Sequence, residues 1–134
     1  MTKKVINTSG KRKRAIARAT LVPGTGVVRI NGQLLDTFGS NMTRLRLKEP
    51  LILAGDIANK VNISVSVSGG GVNGLTDASR VAISRALVEF SGKSSLRETF
   101  LEYNRNLLVA DVRRKEMYKP NDSKARAKRQ KSYR

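Results

Sequence analysis

The strictest pattern in the sequence is the alternation of apolar and polar residues in VNISVSVS, residues 61–68. Successive side chains of an extended chain point to opposite faces. Four branched apolar residues therefore fall on one face of this segment, and an asparagine and three serines fall on the other. The pattern predicts a β-strand with one buried face.

The longest predicted helix follows this strand, from Leu75 to Phe90. Its apolar residues recur at helical spacing and form a single stripe, as in an amphipathic helix that packs on one side. On this pattern Arg80 and Ser84 lie on the side opposite the stripe. The stripe consists of Leu75, Ala78, Ala82, Ile83, Ala86 and Phe90.

Other strands are predicted on either side of this unit. Arg14–Val22 and Val27–Gly32 flank the turn sequence PGTG, and we expect them to pair as a hairpin with a four-residue loop. Residues 107–111, LLVAD, form a short candidate strand. With the helices, these strands predict a compact α+β fold.

Two more helices are expected, over Met42–Gly55 and over Ser95–Tyr103. Pro50 should kink or end the first helix, because proline lacks the N–H group and its ring crowds the preceding turn.

The end of the chain differs from the rest. Apolar residues become rare after Val112, and residues 119–134 bury too little to offset the entropy cost of ordering. A length of 134 residues suits one core. We expect one globular domain over residues 1–112 and a basic extended C-terminal tail over residues 113–134.

Charge is concentrated at both ends of a chain whose net charge is +17. Residues 1–35 hold eight cations and no acid, residues 36–112 hold nine and eight, and residues 113–134 hold ten and two. Such repulsion is tolerated when a partner neutralises it, so the pattern predicts a body with extensions that bind a polyanion. A merely solvated tail is the alternative.

The composition argues against an enzyme. Cysteine and histidine are absent, which excludes thiol nucleophiles, disulfides, zinc sites built on these residues and the usual acid-base catalyst. The carboxylates of Asp56, Asp77, Glu98 and Asp111 are more simply solvated or ion-paired. We expect no cofactor or metal. The sequence has no apolar run long enough to predict a signal peptide or a membrane span, so the cytosol is the expected location.

Two glycine-containing stretches imitate nucleotide-binding motifs. Gly69, Gly71 and Gly74 satisfy G-x-G-x-x-G, but no strand-terminal acid follows about 20 residues later. GKS, residues 92–94, lacks the first glycine of a P-loop. Two compatible interpretations of GGG, residues 69–71, remain: a tight connection at positive φ, or exposed N–H groups offered to phosphate beside a helix N-terminus.

A nucleic acid is the expected partner, and the motifs that are missing favour a large folded RNA. The sequence has no defensible helix-turn-helix spacing, zinc ligand set or basic region with heptads, and its six aromatics avoid the strand at 61–68. Recognition is left to arginine and lysine contacts with the RNA backbone. A free-standing RNA chaperone or nucleoid-like binder is the alternative.

Three stretches resemble the S-nine family of small-subunit ribosomal proteins: TSGKRKRAIARATLVPGTGVVRINGQLL, SVSVSGGGVNGLTDASRVAISRAL and the ending ARAKRQKSYR. The resemblance spans nearly the whole chain, and the ending is similar to the archaeal and eukaryotic branch. It implies a structural constituent of the small subunit that acts in translation. The implied partners are small-subunit rRNA in the head, neighbouring head proteins and, through the C-terminal tail, the anticodon stem-loop of peptidyl-site tRNA.

The resemblance also implies a particular fold. Members have a two-layer sheet with helices on one face, like the second domain of ribosomal protein S-five, with a left-handed crossover formed by a strand, helices and a final strand. The implied strands are Lys13–Val22, Val27–Asn31, Val61–Ser68 and Leu107–Ala110.

Site residues follow by position in the family's motifs. Family members often have an arginine where this chain has Ala110, just before Asp111, which puts a specific contact there in doubt. The implied rRNA-binding residues are Lys11, Arg12, Lys13, Arg14, Arg18, Gly69, Gly70, Gly71, Arg113, Arg114, Lys115, Lys124, Arg126, Lys128 and Arg129. The implied tRNA-binding residues are Lys131, Ser132, Tyr133 and Arg134.

Overall fold

A computed structural model describes residues 4–128 and 132–134 of the chain. The described part is an α+β fold in which three helices pack against one five-stranded mixed sheet. The strands are β1 (Ile6–Arg12), β2 (Ala15–Pro23), β3 (Val28–Ile30), β4 (Gln33–Leu34) and β5 (Val61–Ser68). The helices are α1 (Asn41–Ala54), α2 (Val72–Ser91) and α3 (Ser94–Tyr103), with short 3-10 turns at Leu35–Thr37, Gly55–Lys60 and Arg105–Leu107.

One face of the sheet is buried and the other is open to solvent. In β5 the four apolar residues are buried and the three serines are exposed, which confirms the prediction made from the alternation at 61–68. In β2 the residues at positions 15, 17, 19 and 21 are buried, and those at 16, 18 and 20 are exposed. Because α2 contacts β1, β2 and β5, the helices lie on the buried face.

The predicted hairpin between Arg14–Val22 and Val27–Gly32 is wrong. β5 lies between β2 and β3, antiparallel to β2 and parallel to β3. The PGTG loop turns towards the start of β5 instead, where the Gly26 N–H donates to the Val61 carbonyl at 3.0 Å. Turn residues locate a reversal of the chain, whereas the partner of each strand depends on burying its apolar face.

A longer hairpin forms earlier in the chain. β1 pairs antiparallel with β2 along its whole length, and a two-residue turn of Lys13 and Arg14 connects them. Lys13 has φ of 54°, the left-handed conformation that such turns require. β1 was not predicted, because one of its inward positions is Gly10, which weakens the apolar pattern.

Gly10 also explains how closely β1 packs on α2. A Cβ at this position would collide with the Ala78 carbonyl oxygen and would lie 2.8 Å from the Ala82 backbone nitrogen. Thr8, one step back on the same face, donates its hydroxyl to the Ala82 carbonyl at 2.8 Å. The strand and the helix are therefore in direct backbone contact.

Helix α1 confirms the helix predicted at 42–55, but Pro50 does not end it. The helix continues to Ala54, and Pro50 is fully buried. Burial of the proline ring in the core offsets the missing backbone hydrogen bond. The helix begins where the Ser40 hydroxyl accepts from the Thr43 N–H at 3.3 Å, a typical N-cap.

Helix α2 confirms the predicted helix, but the side of Arg80 and Ser84 is not exposed. Arg80 is only 8% exposed and Ser84 is fully buried. The reason is that α2 is the central helix, with the sheet on one side and both α1 and α3 against it. The Ser84 hydroxyl donates to the Arg80 carbonyl at 2.7 Å, which satisfies it within the helix.

The predicted strand at Leu107–Asp111, and the strand Leu107–Ala110 implied by the family resemblance, are both wrong. Residues 105–107 form a 3-10 turn, and residues 108–128 contain no regular secondary structure. Leu107 is fully buried and anchors this segment in the core. Within the described residues the sheet therefore has no strand that follows β5 in sequence. The helix predicted at Ser95–Tyr103 is confirmed as α3.

Candidate nucleic-acid interface

The basic hairpin turn and the triple glycine lie side by side. A Cβ on Gly69 would lie 2.6 Å from the Arg14 carbonyl oxygen, and one on Gly70 would lie 3.2 Å from the Ala15 backbone nitrogen. Gly69 and Gly70 have φ of 77° and 68°. The positive φ expected at the triple glycine is therefore confirmed at these two positions, where the connection also runs close to the backbone of Arg14 and Ala15.

Gly71 plays a different part, because it is the N-cap of α2 with φ of −95°. Among residues 4–128 and 132–134 no side chain caps this end, and the first turn starts with the exposed residues Val72 and Asn73. The N–H groups of a first helical turn have no partner within the helix, and the helix dipole places positive potential there. With Lys13 and Arg14 exposed nearby, this corner of the molecule attracts anions.

The open face of the sheet is basic and polar. Arg18 is exposed at its centre, between Ser9 of β1 and Ser66 of β5. Lys11 and Arg29 lie on the same face. The five strands contain no acidic residue, so the face offers cations and hydroxyl groups to a polyanion.

Arg12 is held at the end of β1 by carboxylates. Its Nε lies 3.7 Å from Asp77 Oδ2, and its Nη1 lies 3.4 Å from Asp111 Oδ2. Nη1 also donates to the Arg113 carbonyl at 3.3 Å, across 101 positions of sequence. This guanidinium connects the sheet to the start of the tail.

Asp111 is the other half of this connection. Its carboxylate accepts hydrogen bonds from the side chain and from the backbone N–H of Arg113, at distances from 2.7 to 3.1 Å. These bonds, with the charges of Arg113 and Arg12, lower the pKa of Asp111 to about 2. The ionised carboxylate of Asp111 therefore holds Arg113, the first residue of the tail, beside Arg12 of the body.

The described tail residues are almost all exposed. Arg126 forms a bidentate pair with Glu116, with its Nη2 2.6 Å from Oε1, which holds the pKa of Glu116 below its usual value. The Lys115 ammonium lies 4.7 Å from the centre of the Tyr118 ring. Ser132, Tyr133 and Arg134 are exposed, as are Arg114, Lys124 and Lys128, while Arg129 and Lys131 lie outside the described residues.

Comparison with known proteins identifies the family of this chain. The family described as "Ribosomal protein S9/S16" matches residues 10–134. The chain belongs to this family. Two relatives called "Small ribosomal subunit protein uS9", from Methanococcus vannielii and from Methanococcus maripaludis strain C7, are each 48% identical over 133 residues, covering 98% of this chain and 99% of theirs.

Membership of the S9/S16 family makes this chain a structural protein of the small ribosomal subunit that acts in translation, and not an enzyme. Within residues 4–128 and 132–134, the structure has no group of three or more histidine, cysteine or acidic side chains that could hold a metal. No helix in those ranges is long and apolar enough to cross a membrane.

The structure of this S9/S16 family member also places at these surfaces three basic residues that were not among the predicted site residues. Arg29 joins the open face of the sheet, and Arg46 and Arg80 meet Arg12 near the start of the tail. The alternation of β3 places Arg29 on the open face, so its position was readable. Arg46 and Arg80 sit on different helices, and no local pattern brings them together.

Proposed function

We propose that this protein binds small-subunit rRNA in the head of the cytoplasmic ribosome, and that its C-terminal tail reaches the anticodon stem-loop of peptidyl-site tRNA. One observation carries the proposal: the distribution of charge over the fold. The open sheet face and the Lys13–Arg14 turn contain no acid, whereas the acids of the body lie in the helices, in their connections and, at Asp111, just before the tail.

The proposed rRNA surface consists of two adjoining parts. The first is the open sheet face around Arg18, with Lys11 and Arg29. The second is the corner where the Lys13–Arg14 turn meets the exposed N-terminus of α2 at Gly69–Gly71. Phosphate groups accept hydrogen bonds from arginine, serine and free backbone N–H groups alike, so both parts suit contacts with an RNA backbone.

The tail is long enough to contact a partner far from the body. At about 3.3 Å per residue, the fifteen residues from Pro120 to Arg134 extend up to about 50 Å. Its cations are spaced along a segment with little apolar surface, so a partner must provide the energy that orders it. We assign rRNA contacts to Arg113, Arg114, Lys115, Lys124, Arg126, Lys128 and Arg129, and tRNA contacts to Lys131, Ser132, Tyr133 and Arg134.

The body is proposed as the rRNA-binding domain, residues 1–112, and the tail as residues 113–134. The fold like the second domain of ribosomal protein S-five, with a left-handed crossover, stays part of this proposal, although the final strand that the resemblance implied at Leu107–Ala110 is absent from the described residues. Other head proteins are the expected protein neighbours.

The test compares small-subunit RNA binding by the intact chain and by a chain that lacks residues 119–134. Deletion should reduce the slope of log binding constant against log salt concentration by several units. The reduction is roughly 0.7 to 0.9 for each phosphate that the deleted segment neutralises in the intact chain. An unchanged slope would mean that the tail touches no phosphate. In cell lysates the intact chain should sediment almost entirely with small subunits, and a broad distribution over other RNA would favour a free-standing RNA chaperone.

A further inference from the structure

A cavity of about 160 Å³ opens where the tail leaves the body. It is bounded by the end of β1, by α1 and α2, and by the first residues of the tail. Five basic residues and two aspartates line it, and their formal charges sum to +3. Three of the cations, Arg12, Arg46 and Arg80, come from three different elements of the fold.

Arg80 is the deepest of the three, with a side chain only 10% exposed. Its Nη1 lies 3.3 Å from Glu49 Oε2, but that buried oxygen accepts no hydrogen bond from the described residues. The contact is an ion pair without hydrogen-bond alignment. Counting Glu49 still leaves a net positive charge around the cavity, and the Arg80 donors remain available.

Arg12 and Arg46 both form ion pairs with one carboxylate, again without hydrogen bonds. Asp77 lies 3.7 Å from Arg12 Nε and 3.4 Å from Arg46 Nη2, and neither contact meets hydrogen-bond geometry. A guanidinium carries five N–H donors. In the described chain, the single hydrogen bond from these two groups is the one from Arg12 to the Arg113 carbonyl.

We propose that this cavity binds one phosphate group through Arg12, Arg46 and Arg80. Glu49 Oε2 is the one buried unpaired side-chain atom in the described residues, so the unpaired N–H groups of these arginines are open to solvent and available to an anion. The carboxylates beside these three arginines make no aligned hydrogen bond with them. A phosphate presents several acceptor oxygens that match guanidinium forks from different directions. The source is either the RNA backbone, in which case the inference rests on the proposed function, or free phosphate.

Occupation of the cavity would also affect the tail. Asp111 and Arg113 line the same space and already contact Arg12. A phosphate bound there would neutralise Arg12 and Arg113 together and would stabilise the first residues of the tail against the body. The site therefore couples anion binding to the direction in which the tail leaves.

The experiment uses the full-length chain with labelled arginine and follows the Nε–H signals during titration with inorganic phosphate at constant ionic strength, with chloride as the comparison salt. The variant is Arg46→Gln, because the Arg46 side chain is 36% exposed and its removal leaves the core intact. The matched control is Arg97→Gln, an exposed arginine of α3 outside the cavity. Arg46→Lys is a second variant that keeps the charge but removes the fork.

We expect saturable shifts of the Arg12, Arg46 and Arg80 signals with phosphate and not with chloride. The dissociation constant should rise at least about tenfold in Arg46→Gln, less in Arg46→Lys, and not in Arg97→Gln. Equal affinity in Arg46→Gln and Arg97→Gln, or equal shifts with chloride, would overturn the proposal.

The source is found with small-subunit rRNA fragments that carry single neutral methylphosphonates. A position whose neutralisation weakens binding of the intact chain but not of Arg46→Gln assigns the site to an RNA phosphate. If no position behaves in this way while the titration still depends on Arg46, the ligand is free phosphate. Failure of the proposed function is distinct, since the intact chain would then show no preference for small-subunit rRNA.

Discussion

Arg113 contacts Asp111 from two sides, with its backbone N–H 3.0 Å from Oδ1 and its Nη2 2.7 Å from Oδ2. Arg12 of β1 approaches the same carboxylate at 3.4 Å. A single acidic side chain therefore joins the first strand of the body to the start of a tail that lies about a hundred residues away in sequence.

This arrangement predicts a pH dependence. The folded pKa of Asp111, about 2, is below its ordinary value of 3.8, so its ion pairs contribute fully above about pH 4 and are lost as the pH falls through about 2. The carboxyl carbon signal of Asp111 should titrate near pH 2, and the Arg113 Nε–H signal should change with it. In Asp111→Asn this Arg113 transition should be absent. A midpoint near 3.8 would show that the contact does not persist in solution.

The contact between β1 and α2 predicts that Gly10→Ala is strongly destabilising. The added Cβ meets backbone atoms of Ala78 and Ala82, which cannot rotate away as a side chain can. We expect a loss of about 3 kcal/mol in the free energy of unfolding, at the upper end for overpacking. Denaturant unfolding measures it.

Gly71→Ala is the matched control, because a Cβ there would meet no atom of the described chain within 4 Å. It should cost about 1 kcal/mol or less, through the weaker N-cap preference of alanine. Equal losses for the two variants would refute the tight contact at Gly10.

Asn31 extends the pairing of β3 with β5 through its side chain. Its Nδ2 donates to the Val67 carbonyl at 3.1 Å, its Oδ1 accepts from the Val67 N–H at 2.9 Å, and its φ is 51°. Asn31→Gly keeps the backbone conformation and should cost about 1 to 3 kcal/mol, because the two bonds to Val67 are removed. Asn31→Ala should cost about 1 kcal/mol more, because alanine is strained at positive φ.

Comparison of the two unfolding curves separates these effects. If Asn31→Ala and Asn31→Gly are equally stable, backbone strain contributes nothing at this position. If both match the unsubstituted chain, the side-chain bonds to Val67 are not formed in solution.

The tail tip predicts a selective loss of tRNA binding. Truncation of residues 131–134 removes two cations and Tyr133, while the cations upstream keep the tail on its RNA. Each charge-assisted contact is worth about 1.5 to 3 kcal/mol before ordering costs, so peptidyl-site affinity should fall several-fold, with little change at other sites. Filter binding of tRNA to reconstituted subunits measures this.

The matched control for the tip removes two cations from the body, at the exposed positions Lys93 and Arg97, by substitution with glutamine. Subunits with this control should bind peptidyl-site tRNA normally. Equal affinity and equal maintenance of the reading frame in truncated and intact subunits would leave the tail as an rRNA anchor alone.

The sequence by itself determined the elements whose signal is local. The alternation at 61–68 specified β5 and its buried face, and helical spacing specified α2. The distribution of lysine and arginine along the sequence placed the net charge at the two ends of the chain. Each of these follows from residues within a few positions of one another, or from a count, so no knowledge of long-range contacts was needed.

Only the tertiary structure decided which elements meet. Insertion of β5 between β2 and β3, burial of Arg80 under neighbouring helices, and convergence of Arg12, Arg46 and Arg80 on one cavity depend on contacts between distant segments. The bond from Arg12 to Arg113 spans 101 positions. Such contacts form because the apolar faces of several elements are buried together. No local repeat in the sequence shows which elements will bury each other's faces.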